Sequence, residues 1–233
     1  AGYEWDVVES LPVSEAIKTQ GPQMRAHITA YKASLEALAA ANITTICYNF
    51  MPILDWTRTD LRAVQPHGGG AMRFDLIDFA VFDLHILQRA QGAESYSDTQ
   101  RAAAAERFNA LSDDEKKQLQ RNIIAGLPGA NDSWSLEDVR ALLHSYKGIT
   151  RAKLRSHLID FLSEVAPCAE ALGLRLCCHP DDPPFSLLGL PRVMSSCADY
   201  SLVLKAVDLP ANGATLCTGS LGVAQDFDGP AFV

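Results

Sequence analysis

The sequence predicts an α/β fold built on a parallel sheet, and three local patterns lead to this class. Residues 43–50 (ITTICYNF) are β-branched and aromatic, which is typical of a buried strand. Residues 23–41 carry apolar side chains at three- and four-residue steps, which predicts an amphipathic helix before that strand. Residues 5–9 (WDVVE) form an earlier β-type run, and strand, helix and strand in succession indicate a parallel sheet. The length of 233 residues fits one α/β barrel domain, and it also fits two small domains.

The composition is that of an acidic globular protein. The chain has 20 Lys and Arg residues against 28 Asp and Glu residues, which gives a net charge of −8. Nucleic-acid binding rests on Lys and Arg neutralising phosphates, so this balance argues against it. No signal-peptide pattern opens the chain, no run fits a membrane span, and the six cysteines form no CxxC pair. We therefore expect a cytoplasmic protein that binds neither nucleic acid nor a membrane.

The middle of the chain departs from the alternation of strands and helices. Residues 74–89 predict a strongly apolar helix, and capping-box patterns at Ser112 and Ser135 each open another helix. No strand is expected within residues 51–173, apart from an ambiguous run at residues 122–125. A helical excursion of this length is too long for an ordinary βα loop. We therefore interpret residues 51–150 as a helical insertion within a single domain that spans the whole chain.

The alternation then resumes and ends on two side chains that can bind metals. His179 ends a predicted strand at residues 174–179 (LRLCCH), and Cys217 ends another within residues 213–219 (GATLCTG). In parallel α/β barrels the active site is built at the carboxyl ends of the strands, and imidazole and thiolate are good metal ligands. The alternative is a hydrogen-bonded His and a buried Cys. The softness of a thiolate alone would favour Zn²⁺ or Fe²⁺ over a hard ion.

Side chains that could contact a substrate follow the strand at residues 43–50. Asn49 lies at the end of that strand, and Trp56 and Arg58 lie in the loop after it. Arg58 could clamp a carboxylate bidentately, and Trp56 could stack on a sugar face. The alternative for Arg58 is a structural ion pair with a neighbouring Asp.

Two carboxylates, Asp181 and Asp182, follow His179 in a loop that contains three prolines. They could orient the His179 ring or bind a substrate hydroxyl. The alternative is a solvated acidic turn, and the sequence leaves both open.

Several long motifs resemble those of the mannonate dehydratase family. They are rich in rare residues, and they are WDVVESLP, YNFMPILDWTRTDL, RNIIAGLPGA, CCHPDDPPFSLLGLPRVMSS and LCTGSLGV. The resemblance implies a xylose-isomerase-like (β/α)8 TIM barrel that uses a divalent ion, usually Mn²⁺ and otherwise Fe²⁺ or Mg²⁺. It implies dehydration of D-mannonate, a small sugar acid, to 2-dehydro-3-deoxy-D-gluconate in hexuronate (glucuronate) breakdown. By motif, His179 and Cys217 match the first two of the family's His, Cys, His and Asp metal ligands.

The chain also departs from the family pattern. The resemblance covers about strands two to five of the barrel, and nothing after Cys217 matches the second His ligand, the Asp ligand or the proton-transfer groups. We therefore expect a part of a longer polypeptide or a truncated product, and we assign no general acid or base. One rival function is a metal-dependent sugar isomerase or epimerase on the same barrel, which Cys217 disfavours, and another is a non-catalytic remnant. The apolar helix at residues 74–89 could serve a homodimer interface.

Overall fold

The computed structural model describes residues 2–125 and 134–233, in which the chain forms two compact units. The first unit consists of Ala1–Pro52, Gly148–Phe185 and Pro191–Val233, and the second of Ile53–Lys147 and Ser186–Leu190. The second unit covers nearly the same residues as the predicted insertion at 51–150. The assignment of the whole chain to one domain stays a prediction. The motif RNIIAGLPGA continues beyond residue 125 and so lies partly outside the described residues.

The described residues contain six strands and ten α-helices. The strands are β1 (Val7–Glu9), β2 (Thr45–Tyr48), β3 (Asp60–Val64), β4 (Gly70–Arg73), β5 (Arg175–Cys178) and β6 (Asn212–Ala214). The helices are α1 (Glu15–Lys18), α2 (Met24–Ala40), α3 (Leu76–Val81), α4 (Asp98–Ala110), α5 (Asp113–Ile124), α6 (Leu136–Ser145), α7 (Arg151–Ala171), α8 (Cys197–Ala206), α9 (Thr218–Leu221) and α10 (Gly229–Phe232). None of these helices has the length and apolar character needed to cross a membrane.

The first unit is built on a four-stranded sheet with the strand order β1-β2-β5-β6. Each of the three strand pairings is parallel. The strands follow one another across the sheet in chain order, and helices make the crossovers between them, as α/β topology requires. The prediction of a parallel sheet is therefore confirmed, together with the strands predicted near residues 5–9 and 43–50.

An aromatic cluster centred on Phe161 of α7 forms part of the core of the first unit. The ring centroid of Phe161 lies 5.0 Å from that of Tyr31 on α2 and 6.0 Å from that of Tyr48 at the end of β2. Phe50, just beyond β2, lies 6.1 Å away. All four rings are almost fully buried. Because α7 and α2 both contribute rings, this cluster joins the two helices to the sheet.

Burial alternates along β5. Leu176 and Cys178 are buried, whereas Arg175 is exposed and Cys177 is half-buried. Successive side chains of a strand point to opposite faces of the sheet, so one face of β5 packs on the helices and the other is less covered. His179 continues this alternation one residue beyond the strand and is half-buried.

The strands before the two predicted metal ligands are shorter than the sequence suggested. β5 ends at Cys178, so His179 is the first residue after the strand rather than its last. The prediction that Cys217 ends a strand is wrong, because β6 already ends at Ala214. The amide of Cys217 donates a hydrogen bond of 3.2 Å to the carbonyl of Thr215, which turns the chain out of the sheet. Cys217 is therefore the N-cap residue of the short helix α9.

The second unit contains a β-hairpin that the sequence did not predict. Strands β3 and β4 pair antiparallel in a separate two-stranded sheet. The amide of Gly68 donates to Gln65, and the amide of Gln65 donates to the carbonyl of Gly69, which closes the turn. Gly68 has a φ of +83°, a conformation that glycine adopts without strain. The expectation that residues 51–173 hold no strand is therefore wrong.

The predicted helices of the second unit are confirmed in its described residues. The segment at 74–89 contains α3, which continues directly as a π-helical turn at Phe82–Ile86. Ser112 caps α5 in a reciprocal capping box with Glu115, and Ser135 caps α6 in the same way with Asp138. Each box satisfies backbone N–H groups that the first helical turn leaves without partners.

Candidate functional site

His179 is held by the backbone at the carboxyl end of the parallel sheet. Its amide donates a 2.7 Å hydrogen bond to the carbonyl of Tyr48, the last residue of β2. Its ring Nδ1 lies 2.8 Å from the carbonyl oxygen of Pro180. A carbonyl can only accept, so Nδ1 carries a proton, and Nε2 is the ring nitrogen that can coordinate a metal. This arrangement is common for metal-binding histidines, in which the second ring nitrogen is fixed by a backbone carbonyl.

A carboxylate that the sequence analysis missed faces the same ring. Glu9 is the last residue of β1, and its Oε1 lies 3.9 Å from Nε2 of His179. The Glu9 side chain is 64% exposed, and that of His179 is 12% exposed. The available sequence signal was the position of Glu9 at the end of a short β-type run. Strand ends β1 and β5 therefore bring a carboxylate and an imidazole together at one edge of the sheet.

The Cys217 thiol lies in a polar contact between two loops. Ser220, in α9, places its hydroxyl oxygen 3.3 Å from Sγ of Cys217 and 3.3 Å from Oδ2 of Asp182. A serine hydroxyl carries one hydrogen, so it donates to one of these acceptors at a time. Ser220 is 1% exposed and Asp182 is 7% exposed. The loop after β5 and the turn after β6 are therefore joined through Ser220 beside the thiol.

The two cysteines directly before His179, Cys177 and Cys178, differ from a metal-binding thiolate in the pKa of the thiol. Burial raises the pKa of the Cys178 thiol well above its usual value, and burial also raises the pKa of Cys177. Only a deprotonated thiol is a good metal ligand. Both groups therefore remain protonated thiols, and Cys178 belongs to the core of the first unit.

The two carboxylates after His179 are buried, so the interpretation as a solvated acidic turn is wrong. Asp181 is 1% exposed and accepts hydrogen bonds from the amide of Met194, at 2.7 Å, and from the hydroxyl of Ser195, at 2.8 Å. The amide of Asp181 donates in return to the carbonyl of Met194. Asp181 thus ties the start of the loop after β5 to its end. Burial raises the pKa of its carboxyl, against the opposing effect of nearby Arg192.

The predicted substrate contacts fall in both units. Asn49 lies just beyond β2 in the first unit and is half-buried. Trp56 and Arg58 belong to the second unit, where the guanidinium carbon of Arg58 lies 5.0 Å from the centre of the Trp56 ring. Arg58 also donates from Nη1 to the carbonyl of Thr57 at 2.9 Å. The stacking orients the guanidinium plane, and the role of these three side chains in substrate binding stays a prediction.

His179 and Cys217 supply two donor groups that suit a divalent ion. Nε2 of His179 can coordinate a metal, and Cys217 offers sulfur, so the chemistry of these two groups fits a borderline or soft cation. Across the part of the chain that the structure describes, no three His, Cys, Asp or Glu side chains form a group that could hold a metal ion. The assignment of His179 and Cys217 as ligands therefore stays a prediction.

Comparison with known proteins gives one consistent result. Residues 1–233 match the family model described as D-mannonate dehydratase (UxuA). The chain is 54% identical over 230 residues to the mannonate dehydratase of Rhizobium meliloti (strain 1021), covering 99% of this chain and 57% of that protein. It is also 54% identical over 229 residues to mannonate dehydratase 1 of Agrobacterium fabrum (strain C58), again covering 57% of that protein and 98% of this chain. The chain thus spans little more than half the length of these relatives.

A solved structure is similar in fold. The crystal structure of mannonate dehydratase from Streptococcus suis serotype2 superimposes with a TM-score of 0.70 at 29% sequence identity. The match covers 99% of this chain and 52% of that one. The mixed α/β fold of this chain therefore resembles that of this solved structure.

Proposed function

The chain belongs to the D-mannonate dehydratase family, and from this membership we propose that it carries out the metal-dependent dehydration of D-mannonate to 2-dehydro-3-deoxy-D-gluconate. The observation that carries the proposal is the placement of His179. It follows a parallel strand directly, and its ring is fixed so that Nε2 is the nitrogen that can coordinate a metal at the carboxyl end of the sheet. Relatives at 54% identity bear the name of this activity. The reaction would serve hexuronate breakdown in the cytoplasm.

We also propose that the four parallel strands are consecutive strands of a (β/α)8 barrel of the xylose-isomerase-like type. Two features support this. The order β1-β2-β5-β6 follows the chain, so every step moves to the neighbouring strand in one direction, as in a barrel. The polar groups of Glu9 and His179 also meet at the carboxyl end of the strands, where barrel enzymes carry their active sites.

In this proposal His179 and Cys217 hold a divalent ion, Mn²⁺ in the family and otherwise Fe²⁺ or Mg²⁺. When bound, such an ion supplies positive charge that stabilises the anion formed as the substrate loses the proton on C2. The protein's own part is to orient the His179 ring through the bond from Nδ1 to Pro180, so that Nε2 is the coordinating nitrogen, and to keep Cys217 in place beside Ser220.

The remaining side chains bind and orient the sugar acid. The reaction is a β-elimination in which the proton leaves C2 and the hydroxyl leaves C3 as water. Arg58 is suited to pair with the substrate carboxylate through two parallel N–H groups. Trp56 offers an apolar face to the carbon chain, and the Asn49 amide can bond to a hydroxyl. No side chain is assigned as the general acid or base that the proton transfers need.

The proposal is tested by incubating the protein with D-mannonate and Mn²⁺ and measuring the 2-keto product as its semicarbazone. We expect one product per mannonate consumed, with formation abolished by a chelator. An isomeric aldonate or keto sugar with no loss of water would favour the isomerase or epimerase instead. Bound metal without any turnover would contradict the proposed activity and favour a non-catalytic remnant.

A further inference from the structure

A cavity in the second unit has a lining that the proposed dehydration does not use. Its volume is about 560 Å³, which lies within the range of small-molecule sites, roughly 300–1,000 Å³. The lining comes from the chain after the π-helical turn, from α6 and the residues that follow it, and from residues 188–190. All of these segments belong to the second unit.

The floor of the cavity is apolar, and its rim carries basic side chains. Leu87, Tyr146, Leu188 and Leu190 line it and are buried. The rim carries Arg140, His144 and Lys147, which are exposed and spaced four and three residues apart. Residues at such spacing lie on the same side of a helix, so α6 and the turn after it direct these groups to one place. No Asp or Glu is among the described residues that line the cavity.

Among the described residues, no carboxylate neutralises the positive charge of Arg140 or Lys147. Arg140 donates from Nε and Nη2 to the carbonyl of Leu87, at 3.2 and 3.0 Å. These bonds position the guanidinium, but the carbonyl is uncharged and does not neutralise it. Within residues 2–125 and 134–233, neither Arg140 nor Lys147 has a carboxylate within 4.0 Å. The charge of Arg89, by contrast, is neutralised by the fully buried carboxylate of Asp83.

Arg89, which lines the cavity, is held by several contacts. Arg89 binds both oxygens of Asp83, at 2.8 and 2.7 Å, and also contacts Ser95. Its guanidinium lies against the turn at residues 187–190, where a Cβ on Gly189 would come within 2.8 Å of Nη1. Gly189 also has a φ of +70°, a backbone conformation that glycine adopts without strain. These contacts hold Arg89 and the turn at residues 187–190 in place at the cavity.

From this lining we propose that the cavity binds a small organic anion, a carboxylate or phosphate monoester with an apolar body. The apolar part would rest on the leucines and Tyr146, and the anionic group would meet Arg140 and Lys147 at the rim. Arg140 retains N–H groups that can bond to an anionic oxygen while it holds the Leu87 carbonyl. This site is separate from the residues assigned to mannonate dehydration.

The test uses titration calorimetry of the full chain with four probes: phenylacetate, phenyl phosphate, acetate and 2-phenylethanol. We expect at least one of the two aromatic anions to bind about tenfold more tightly than both acetate, which lacks the apolar body, and 2-phenylethanol, which lacks the charge. The better of the two anions identifies the preferred head group. Equal affinity for the charged and neutral aromatic probes, or no binding, would overturn the proposal.

Two variants localise the binding. The double variant Arg140→Gln with Lys147→Gln should lower the affinity for the aromatic anion about tenfold, to the level of 2-phenylethanol. Lys147→Gln alone should lower this affinity severalfold and leaves the contact between Arg140 and Leu87 intact. The matched control, Arg121→Gln with Lys117→Gln on α5, removes the same charge away from the cavity and should change nothing. Equal effects of the two double variants would contradict the site. Retained binding in His179→Ala separates it from the proposed dehydratase centre.

Discussion

At the scale of the residue, Asp83 is the most consequential buried charge of the second unit. It is fully buried and accepts from Arg89 and from the hydroxyl of Tyr96 at 3.0 Å. Burial and the Asp83 charge raise the pKa of Tyr96 above its usual value, so its hydroxyl remains a donor. We expect Asp83→Asn to lower the free energy of unfolding by about 3–5 kcal/mol, because it leaves Arg89 without its counter-charge.

Urea unfolding followed by circular dichroism measures this loss. Asp114→Asn is the matched control, because Asp114 is 96% exposed and lies 3.8 Å from Lys117. An exposed pair of this kind contributes little in water, so the control should unfold like the wild type. Equal stabilities of the Asp83 and Asp114 variants would contradict the account of the buried pair.

Asp181 predicts a pH dependence of stability. Burial raises its pKa in the folded chain above the ordinary value of 3.8. Between these two pKa values the folded state binds more protons than the unfolded state, so stability falls as the pH rises. The contribution of this group is fully present below the ordinary value and is lost as the pH rises through the folded pKa.

Unfolding free energies of the wild type and of Asp181→Asn across the acid range provide the measurement. The variant cannot titrate at this position, so the wild type should lose stability relative to it as the pH rises from the ordinary carboxyl range. If the wild type instead gains stability relative to Asp181→Asn as the pH rises, the pKa of Asp181 in the folded chain is lowered and the prediction is wrong.

Some site residues were predictable from the sequence and others were not. His179 and Cys217 stand out because they combine metal-ligand chemistry with positions at or beyond predicted strand ends. Glu9 was missed because the end of a three-residue strand cannot be located reliably from the sequence. Only the register of the sheet shows that the Glu9 carboxylate lies near His179. The burial of Asp181 was also hidden, because its partners Met194 and Ser195 lie more than ten residues away.

At the scale of the element, helix α7 offers a direct test of N-capping. Thr150 precedes the helix, and its side chain accepts from the amide of Lys153 at 3.2 Å. Replacing such a cap by alanine removes a partner of the first helical turn and costs about 1 kcal/mol. We expect Thr150→Ala to lower the melting temperature measurably, because α7 carries Phe161 and the rest of its buried face.

Thr29→Ala on α2 is the control for this prediction. The Thr29 hydroxyl bonds to the carbonyl of Arg25 within the helix, and the side chain is exposed. Alanine has the higher helix propensity, so this change should leave stability unchanged or slightly raise it. A larger loss at Thr29 than at Thr150 would contradict the capping role.

The elements differed in how clearly the sequence indicated them. The helices are marked by apolar periodicity and by side-chain caps such as Ser112 and Ser135, which are local signals. The hairpin β3-β4 was missed because nearly all of its side chains are exposed or half-buried and several are charged, which removes the alternation typical of a strand. The end of β6 was missed because a single turn at Thr215 decides it.

At the scale of the whole molecule, the parallel order of the sheet was predictable from the succession of strand, helix and strand. The division into two compact units was less so, because residues 186–190 join the second unit although they lie far from it in sequence. Tertiary contacts decide such membership, and no local pattern reports them. The family resemblance supplied what periodicity could not, namely the reaction and the expected ion.

The most direct test of the central claim is to measure Mn²⁺ binding by the wild type and by matched variants. Titration calorimetry gives the affinity, and electron paramagnetic resonance reports the environment of the ion. We predict that His179→Ala and Cys217→Ser each weaken Mn²⁺ binding at least about tenfold, since a protein ligand is lost. The controls His27→Ala and Cys197→Ser should bind Mn²⁺ like the wild type. Unchanged affinity and spectra in the His179 and Cys217 variants would contradict the assignment of these residues as the metal ligands.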